Sequence, residues 1–307
     1  MQTTIENPAT RVPTIHSKIE GIKSQWCEEH GPVAKTIRTV TVPLFNALSE
    51  RIVRGLLGLS PDGAMIMNHC GSTLALEVMY EWQKKDPFYA GLLPGLASIC
   101  WNNLTSHPKA MRNRLRLVQK ILNEKIAKRL CSSAEEVSIL SLGGGSSRAL
   151  IQAIFELAPL AASSSVRVIN IDKDAKAAEI GRQIAEQYGL SEIFRWIEGN
   201  ARDLRTVAND GSVDIVEMVG LFDYFPENMG EMMLRRIHRK LKSGGTLVLA
   251  NVHPHEEMSF VSKMGWPKMT YRRPEDLKKG LLAAGFEKSP EIIFEPMGVH
   301  MIVTITK

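Results

Sequence analysis

The sequence predicts an α/β protein. It should have a mostly parallel sheet with helices on both faces, an antiparallel last strand and an N-terminal all-helical region. Three observations carry this expectation. From residue 137 onward, short apolar runs alternate with helical stretches, as in a sheet buried on both faces. The last two apolar runs are joined by little more than Pro296-Met297-Gly298, too short for a parallel crossover. Upstream, from Ile15 to about Leu130, the apolar spacing is helical and broken by glycine and proline. The chain therefore divides into a helical domain, 1–130, and an α/β domain, 131–307.

In the helical part the breaks fall at Gly31-Pro32, Pro43, Ser60-Pro61-Asp62-Gly63, Pro87, Pro94 and His107-Pro108, giving five or six helices. The stretch 72–101 is rich in Leu, Met, Tyr and Trp. That composition suits a plain core or an adaptable pocket wall. The helix beginning near Pro108 is long and basic. Arg112, Arg116 and Lys120 fall on one face, and Met111, Leu115, Val118 and Leu122 on another. A solvated charged face accounts for the first set. The functional alternatives are a grip on a carboxylate by Arg112 or Arg114, or contact with nucleic acid. Little aromatic interleaving and no RNA-binding signature argue against nucleic acid.

The α/β part opens on Val137-Ser138-Ile139-Leu140-Ser141-Leu142-Gly143-Gly144-Gly145-Ser146-Ser147-Arg148-Ala149-Leu150, a buried strand, a glycine turn and a helix start. Consecutive glycines permit positive φ and close approach of backbone to a ligand. The helix start that follows can face an anion or a polar cofactor edge. A tight turn without a ligand would also favour glycine. Further strands are expected at 166–171, 194–197, 213–219, 246–251, 292–295 and 300–306. Helices are expected at 175–188, 229–241 and 274–284. In open sheets of this kind ligands bind beyond the carboxyl ends of the strands.

Composition bounds the function. With 307 residues, 44% hydrophobic and 23% charged, the chain is an ordinary globular one, long enough for two domains. Its charge of +5 is uneven: 1–130 holds 17 Lys+Arg against 10 Asp+Glu, and 131–307 holds 21 against 23. Cys27, Cys70, Cys100 and Cys131 are scattered without metal-ligand spacing, as expected of reduced thiols in a cytoplasmic protein. The polar first residues lack a signal-peptide core, and no apolar run approaches the roughly 18–20 residues of a membrane span.

Polar residues follow the strands in a telling order. Gly143 to Ser146 come after the first, and Asp172-Lys173-Asp174 after the second. Glu198-Gly199-Asn200-Ala201-Arg202-Asp203 follows the third, and Met218-Val219-Gly220-Leu221-Phe222-Asp223-Tyr224-Phe225 closes the fourth. Leu241-Lys242-Ser243-Gly244-Gly245 leads the fifth, which ends at Asn251-Val252-His253-Pro254-His255. Ala284-Gly285-Phe286 ends the last helix. With these features, about 137–307 resembles the class I S-adenosylmethionine-dependent methyltransferases, whose sheet is Rossmann-like. The resemblance implies S-adenosylmethionine as cofactor. Gly143 and Gly145, with Gly144 and Ser146 in the same loop, would line its methionine part. Asp172, followed by Lys173, would hold the ribose. Asn200, Ala201 and Arg202 would face the adenine, and Met218, Val219, Gly220 and Leu221 would lie beside the sulfonium. The helical region resembles the cap with which such enzymes bind substrate.

Two positions depart from the family pattern. Ser141 stands where an acidic residue usually precedes the first glycine by two, and Ser147 replaces the third glycine. A lost charge-assisted hydrogen bond is worth about 1.5–3 kcal/mol, so either another acid supplies it or the cofactor's amine is held neutral. Three outcomes follow. The expected one is methyl transfer to a small-molecule acceptor. Intramolecular cyclisation of the cofactor to azetidine-2-carboxylate plus methylthioadenosine is the second. A non-catalytic cofactor-binding module is the third. A nicotinamide dehydrogenase is disfavoured, because Arg148 breaks the G-x-G-x-x-G pattern. Candidate bases for transfer are Tyr224, Asp223, His253 and His255. Trp101 could face the sulfonium, Arg112 a substrate carboxylate, and Tyr271 with Arg272 a pocket rim. No metal site is expected, and neither is nucleic acid or membrane as a partner. A homodimer stays open.

Overall fold

The computed structural model describes residues 27–132, 136–157 and 165–307. The helical region comprises α1 (Pro32–Ala47), α2 (Glu50–Leu57), α3 (Pro61–Asn68), α4 (Thr73–Glu81), α5 (Leu92–Leu104) and the long α6 (His107–Ser132). Its punctuation follows from the sequence. Pro32 and Pro61 sit in the first turn, where a fixed φ and a missing N–H cost nothing. The Ser60 hydroxyl accepts a hydrogen bond from the Gly63 N–H at 2.9 Å, satisfying one of the otherwise unpaired donors of α3.

The remaining chain forms β1 (Glu136–Leu142), β2 (Ser165–Asp172), β3 (Phe194–Glu198), β4 (Val213–Val219), β5 (Leu241–Val252), β6 (Glu291–Phe294) and β7 (His300–Thr306). Between them lie α7 (Arg148–Glu156), α8 (Ala175–Gln187), α9 (Glu227–Lys240), α10 (Met258–Lys263) and α11 (Pro274–Ala283). The seven strands run in the order β3-β2-β1-β4-β5-β7-β6. The first five are mutually parallel, and β7 is antiparallel to both β5 and β6. Strand order reverses between β1 and β4, and that switch point opens a crevice at the carboxyl ends.

Alternation along the strands builds two cores. Leu140, Leu142, Val216 and Met218 face α9 and α11, where they meet Leu234, Ile237, Leu277 and Leu281. Val137, Ile139, Ile215 and Val248 face the opposite layer, where they meet Leu117, Val118 and Leu122 of α6, Leu150 of α7 and Ile184 of α8. Each such side chain contributes about 1.5–3 kcal/mol on burial. A third core joins the helical region to the segment after β5. Val53, Ile66, Met79, Trp101 and Met111 pack with Phe260, Val261, Met264 and Trp266.

The α6 helix corrects one expectation. Arg112 is not on a solvated face: it is 2% exposed. Its Nε and Nη2 donate to the two carboxylate oxygens of Glu28 at 2.6 and 2.8 Å, its Nη1 donates to Asn102 Oδ1 at 3.1 Å, and its guanidinium lies 5.4 Å from the Trp82 ring centre. The reason is architectural. α6 is sandwiched between the sheet and the other N-terminal helices, so a face that looks polar in one dimension is covered in three. No helix among the described residues is long and apolar enough to cross a membrane.

Candidate functional site

The turn after β1 lies in the crevice at the switch point. The Gly143 N–H donates to Ile171 O at 2.8 Å, and the Ser147 N–H closes the turn on Gly144 O at 2.8 Å. Glycine is required here by contact as well as conformation. A Cβ on Gly144 would lie 2.0 Å from Ser141 Oγ, and one on Gly145, at φ 56°, would lie 2.6 Å from Thr73 Oγ1. Ser147, in the place of the usual third glycine, takes φ 51° just before α7. Asn170 Nδ2 donates to its hydroxyl at 2.5 Å and holds it there.

Side chains from the other strand ends close the walls of a groove of about 890 Å³. That volume lies within the range of small-molecule sites. Asp172, at the end of β2, accepts from the Gly145 N–H and the Asp174 N–H, both at 2.9 Å, so it braces the glycine turn while lining the groove. Lys173 follows it there. After β3, Asn200 Oδ1 accepts from the Arg202 N–H at 3.0 Å, shaping the turn that carries Asn200, Ala201 and Arg202 into the groove.

The loop is also tied to the helical region. Ser146 Oγ donates to Glu77 Oε1 at 2.6 Å. Arg148 Nε and Nη2 both donate to Glu77 Oε2, at 2.8 and 2.5 Å, and Arg148 Nη1 pairs with Glu81 at 3.0 Å. One carboxylate of α4 thus holds both the turn and the first residue of α7.

Beneath the groove lies a buried polar row that periodicity alone does not show, and only its last member, Glu217, reaches the groove. Register places Asn170 of β2, Ser141 of β1 and Glu217 of β4 side by side. Ser141 Oγ donates to Glu217 Oε2 at 2.5 Å. Glu217 lines the groove and is 6% exposed. Burial pushes its carboxyl up to about 7, with the Ser141 hydrogen bond and the Arg114 charge pulling the other way. Arg114 reaches the groove from α6, packed over Gly220. Its Nη2 donates to Tyr80 OH at 3.4 Å, while its Nε is buried without a partner among the described residues. Glu217 was absent from the residues expected from sequence. The available signal was Glu217 itself, the second of two carboxylates in the run Val213-Asp214-Ile215-Val216-Glu217-Met218-Val219 and an expensive place for a charge without a purpose.

The other expected residues separate cleanly. Val219, Gly220 and Tyr224 line the groove, whereas Met218 is fully buried in the core beneath it. Tyr224 OH accepts from Trp266 Nε1 at 3.1 Å, and burial pushes the phenol up to about 12, so it is neutral at ordinary pH. Asp223 points into the interior. It accepts from the Val252 N–H at 2.7 Å and Asn251 Nδ2 at 3.0 Å. Trp101 belongs to the third core and Arg112 to its ion pair with Glu28. His253 stacks edge-on to Phe294, and Tyr271 tilts against His255. None of these lines the groove. Burial lowers the imidazoles of His253 and His255, the latter to about 4. Among the described residues no three His, Cys, Asp or Glu side chains converge as a metal site.

Comparison with known proteins fits this geometry. The family described as "Putative methyltransferase" matches residues 96–306, over half of the chain. No curated protein sequence matches significantly. Among solved structures, a "possible exported protein" from Bordetella parapertussis is 15% identical with a TM-score of 0.61, covering 91% of this chain and 99% of its own. A "putative O-methyltransferase" from Nostoc punctiforme PCC 73102 is 16% identical with a TM-score of 0.51, covering 83% of this chain and 71% of its own. At these identities the structures speak for the fold, and the family match carries the assignment. The chain belongs to this methyltransferase family, within the class I S-adenosylmethionine-dependent methyltransferases that its sequence resembles.

Proposed function

We propose that the groove binds S-adenosylmethionine and that the protein transfers the cofactor's methyl group to a small-molecule acceptor held under the helical region. The observation that carries this reading is the convergence of four strand ends on one groove: the glycine turn, Asp172, the Asn200–Arg202 turn and Val219–Leu221. The residues fit the cofactor. Asp172 offers carboxylate oxygens at the groove edge for a ribose diol. Asn200 has an amide free to meet an adenine edge, since only its Oδ1 is engaged by Arg202. When bound, the cofactor supplies an electrophilic methyl group whose bond to sulfur breaks as the acceptor's lone pair forms the new bond.

The chain's own part is to position and to exclude water. Tyr224 and Phe225 meet Cys70, Leu76, Tyr80 and Pro267 across the groove, forming an apolar and aromatic wall. Such a wall suits a small, partly apolar acceptor and stabilises a nearby cation through the ring faces. As a neutral phenol, Tyr224 orients an acceptor by hydrogen bonding and does not withdraw its proton. In this reading the helical region α1–α6 forms the acceptor-binding cap, with Phe260 and Trp266 completing its core.

The ground for cyclisation of the cofactor is the absence of an acid at position 141, where Ser141 stands. Glu217 supplies a carboxylate one strand over, in hydrogen-bond contact with Ser141, so the ground for a neutral amine is weakened. Incubation with S-adenosylmethionine alone, followed by mass spectrometry, separates the two chemistries. The cofactor should stay intact and become S-adenosylhomocysteine only when an acceptor from a small-molecule panel is added. Azetidine-2-carboxylate with methylthioadenosine in the absence of any acceptor would overturn methyl transfer in favour of cyclisation.

A further inference from the structure

Around Arg114 the groove offers hydrogen-bond donors with nothing to receive them. Arg114 lines the groove from α6, is only 3% exposed, and takes part in no ion pair among the described residues. Its Nη2 donates to Tyr80 OH at 3.4 Å, and its Nε has no partner there. Two buried histidines feel its charge, and burial keeps both neutral: His107 is lowered to about 3, and His300 well below the usual range. They bring no counter-charge. The acids within its field are engaged elsewhere, Glu217 by the Ser141 hydroxyl and Asp223 by the Val252 N–H and Asn251. Two groove-lining phenols lie near it, Tyr80 in direct contact and Tyr224 within reach of its charge. Tyr80 OH accepts from Arg114, and Tyr224 OH accepts from Trp266 Nε1 at 3.1 Å. Each hydroxyl therefore keeps its own hydrogen, which finds no acceptor among the described residues.

A buried guanidinium without a counter-ion is costly unless a ligand completes it. We propose that Arg114, Tyr80 and Tyr224 hold the carboxylate of the methyl acceptor, which makes the acceptor a small carboxylic acid. The cradle rests on the methyl-transfer reading and adds the acceptor's chemical class to it. A planar guanidinium meets a carboxylate through two parallel N–H donors, and the phenol hydrogens suit the lone pairs that remain. Charge sets the class. One unpaired positive charge matches a monoanion, whereas a phosphate dianion would ask for a second cation. The other cations of the groove are spent or distant. Arg148 pairs with Glu77 and Glu81, and Lys173 and Arg202 follow β2 and β3, on the side assigned to adenosine. Arg114 instead packs over Gly220, past the end of β4 and on the other side of β1. Cys70, Leu76, Phe225 and Pro267 in the same groove suit the apolar body of such an acid. Trp266 acts as a positioning residue, because its N–H occupies the Tyr224 oxygen and leaves that phenol to donate.

Calorimetric titration of the S-adenosylhomocysteine complex with small acids and their amides tests the cradle. The probes are benzoate, cinnamate and hexanoate, each beside its neutral amide. At least one acid should bind at least about tenfold more tightly than its own amide, the scale of one charged hydrogen bond. Arg114→Met should remove that preference, and Tyr80→Phe and Tyr224→Phe should each weaken the acid by roughly threefold to tenfold, the scale of one neutral hydrogen bond. All three variants should keep S-adenosylhomocysteine affinity within about twofold, as expected of sites that share no contacts. Acid and amide binding alike, no acid binding at all, or full acid affinity in Arg114→Met or in both phenylalanine variants overturns the cradle and leaves the cofactor assignment standing. Weakened S-adenosylhomocysteine in Arg114→Met also overturns it, by placing the guanidinium on the cofactor. Wild-type protein that does not bind S-adenosylhomocysteine refutes the cofactor assignment and the cradle together.

Discussion

Replacing Glu217 by Gln should stabilise the ligand-free protein at neutral and higher pH. The magnitude follows from burial. The carboxyl is raised from 4.5 to about 7. A folded-state value above the unfolded one means that the folded protein holds the extra proton between those limits. Stability therefore falls as pH rises from about 4.5 to about 7 and stays lowered above. At about 1.4 kcal/mol per pH unit, the ionised side chain costs the fold up to about 3 kcal/mol at pH 8. Glutamine keeps an oxygen for the Ser141 hydroxyl and sheds the charge. With an unfolding entropy of roughly 2 cal/mol/K per residue, the gain is up to about 5 °C in melting temperature. Thermal melts of both proteins across pH 5 to 8, without ligand, make the measurement. The curves should nearly coincide at pH 5 and diverge above pH 7, with the variant higher. A variant that melts lower at pH 8 would refute the reasoning, because it would mean that Arg114 already compensates the carboxylate in the empty groove.

The rest of the site yields further expectations. Asp172→Ala should weaken S-adenosylhomocysteine at least about tenfold and cost about 1–2 kcal/mol of stability, since the Gly145 and Asp174 amides lose their acceptor; calorimetry and melting check both, and intact affinity would displace the ribose from this residue. Gly144→Ala should destabilise by about 1–3 kcal/mol or more, because its Cβ would collide with Ser141 Oγ and the Asn170 amide; wild-type melting would show that the turn is looser than described. Glu77→Gln should loosen the helical region from the glycine turn, because Ser146 and Arg148 share that carboxylate; limited proteolysis should cut the variant faster within α4 or its flanking loops, and equal rates would deny the latch.

Much of the sheet was legible because its signals are local. Apolar strands such as Ile139–Leu142 sit directly before glycine turns, and the short Pro296-Met297-Gly298 link forces the antiparallel β6–β7 pair. The groove was legible for the same reason: each polar cluster lies just past its own strand. What escaped depends on neighbours distant in sequence. Glu217 becomes part of the site only through its register with Ser141, 76 residues away. Arg112 looks solvated until α6 is seen covered on both sides, and Glu28 lies 84 residues before it. Trp101 had the composition of a pocket wall, yet Phe260 and Trp266, arriving from beyond β5, turn its surroundings into a closed core. Asp223 follows its strand as a site residue would, but the turn aims it at the Val252 amide.

The most direct test of the account is a crystal structure of the protein with S-adenosylhomocysteine. The adenosine should lie across the carboxyl ends of β1, β2 and β3, its ribose hydroxyls on Asp172 and its adenine beside Asn200. Its amino-acid end should lie beside the turn Gly143–Ser146. Ligand bound elsewhere, or an empty groove at a concentration that saturates binding in solution, would contradict it.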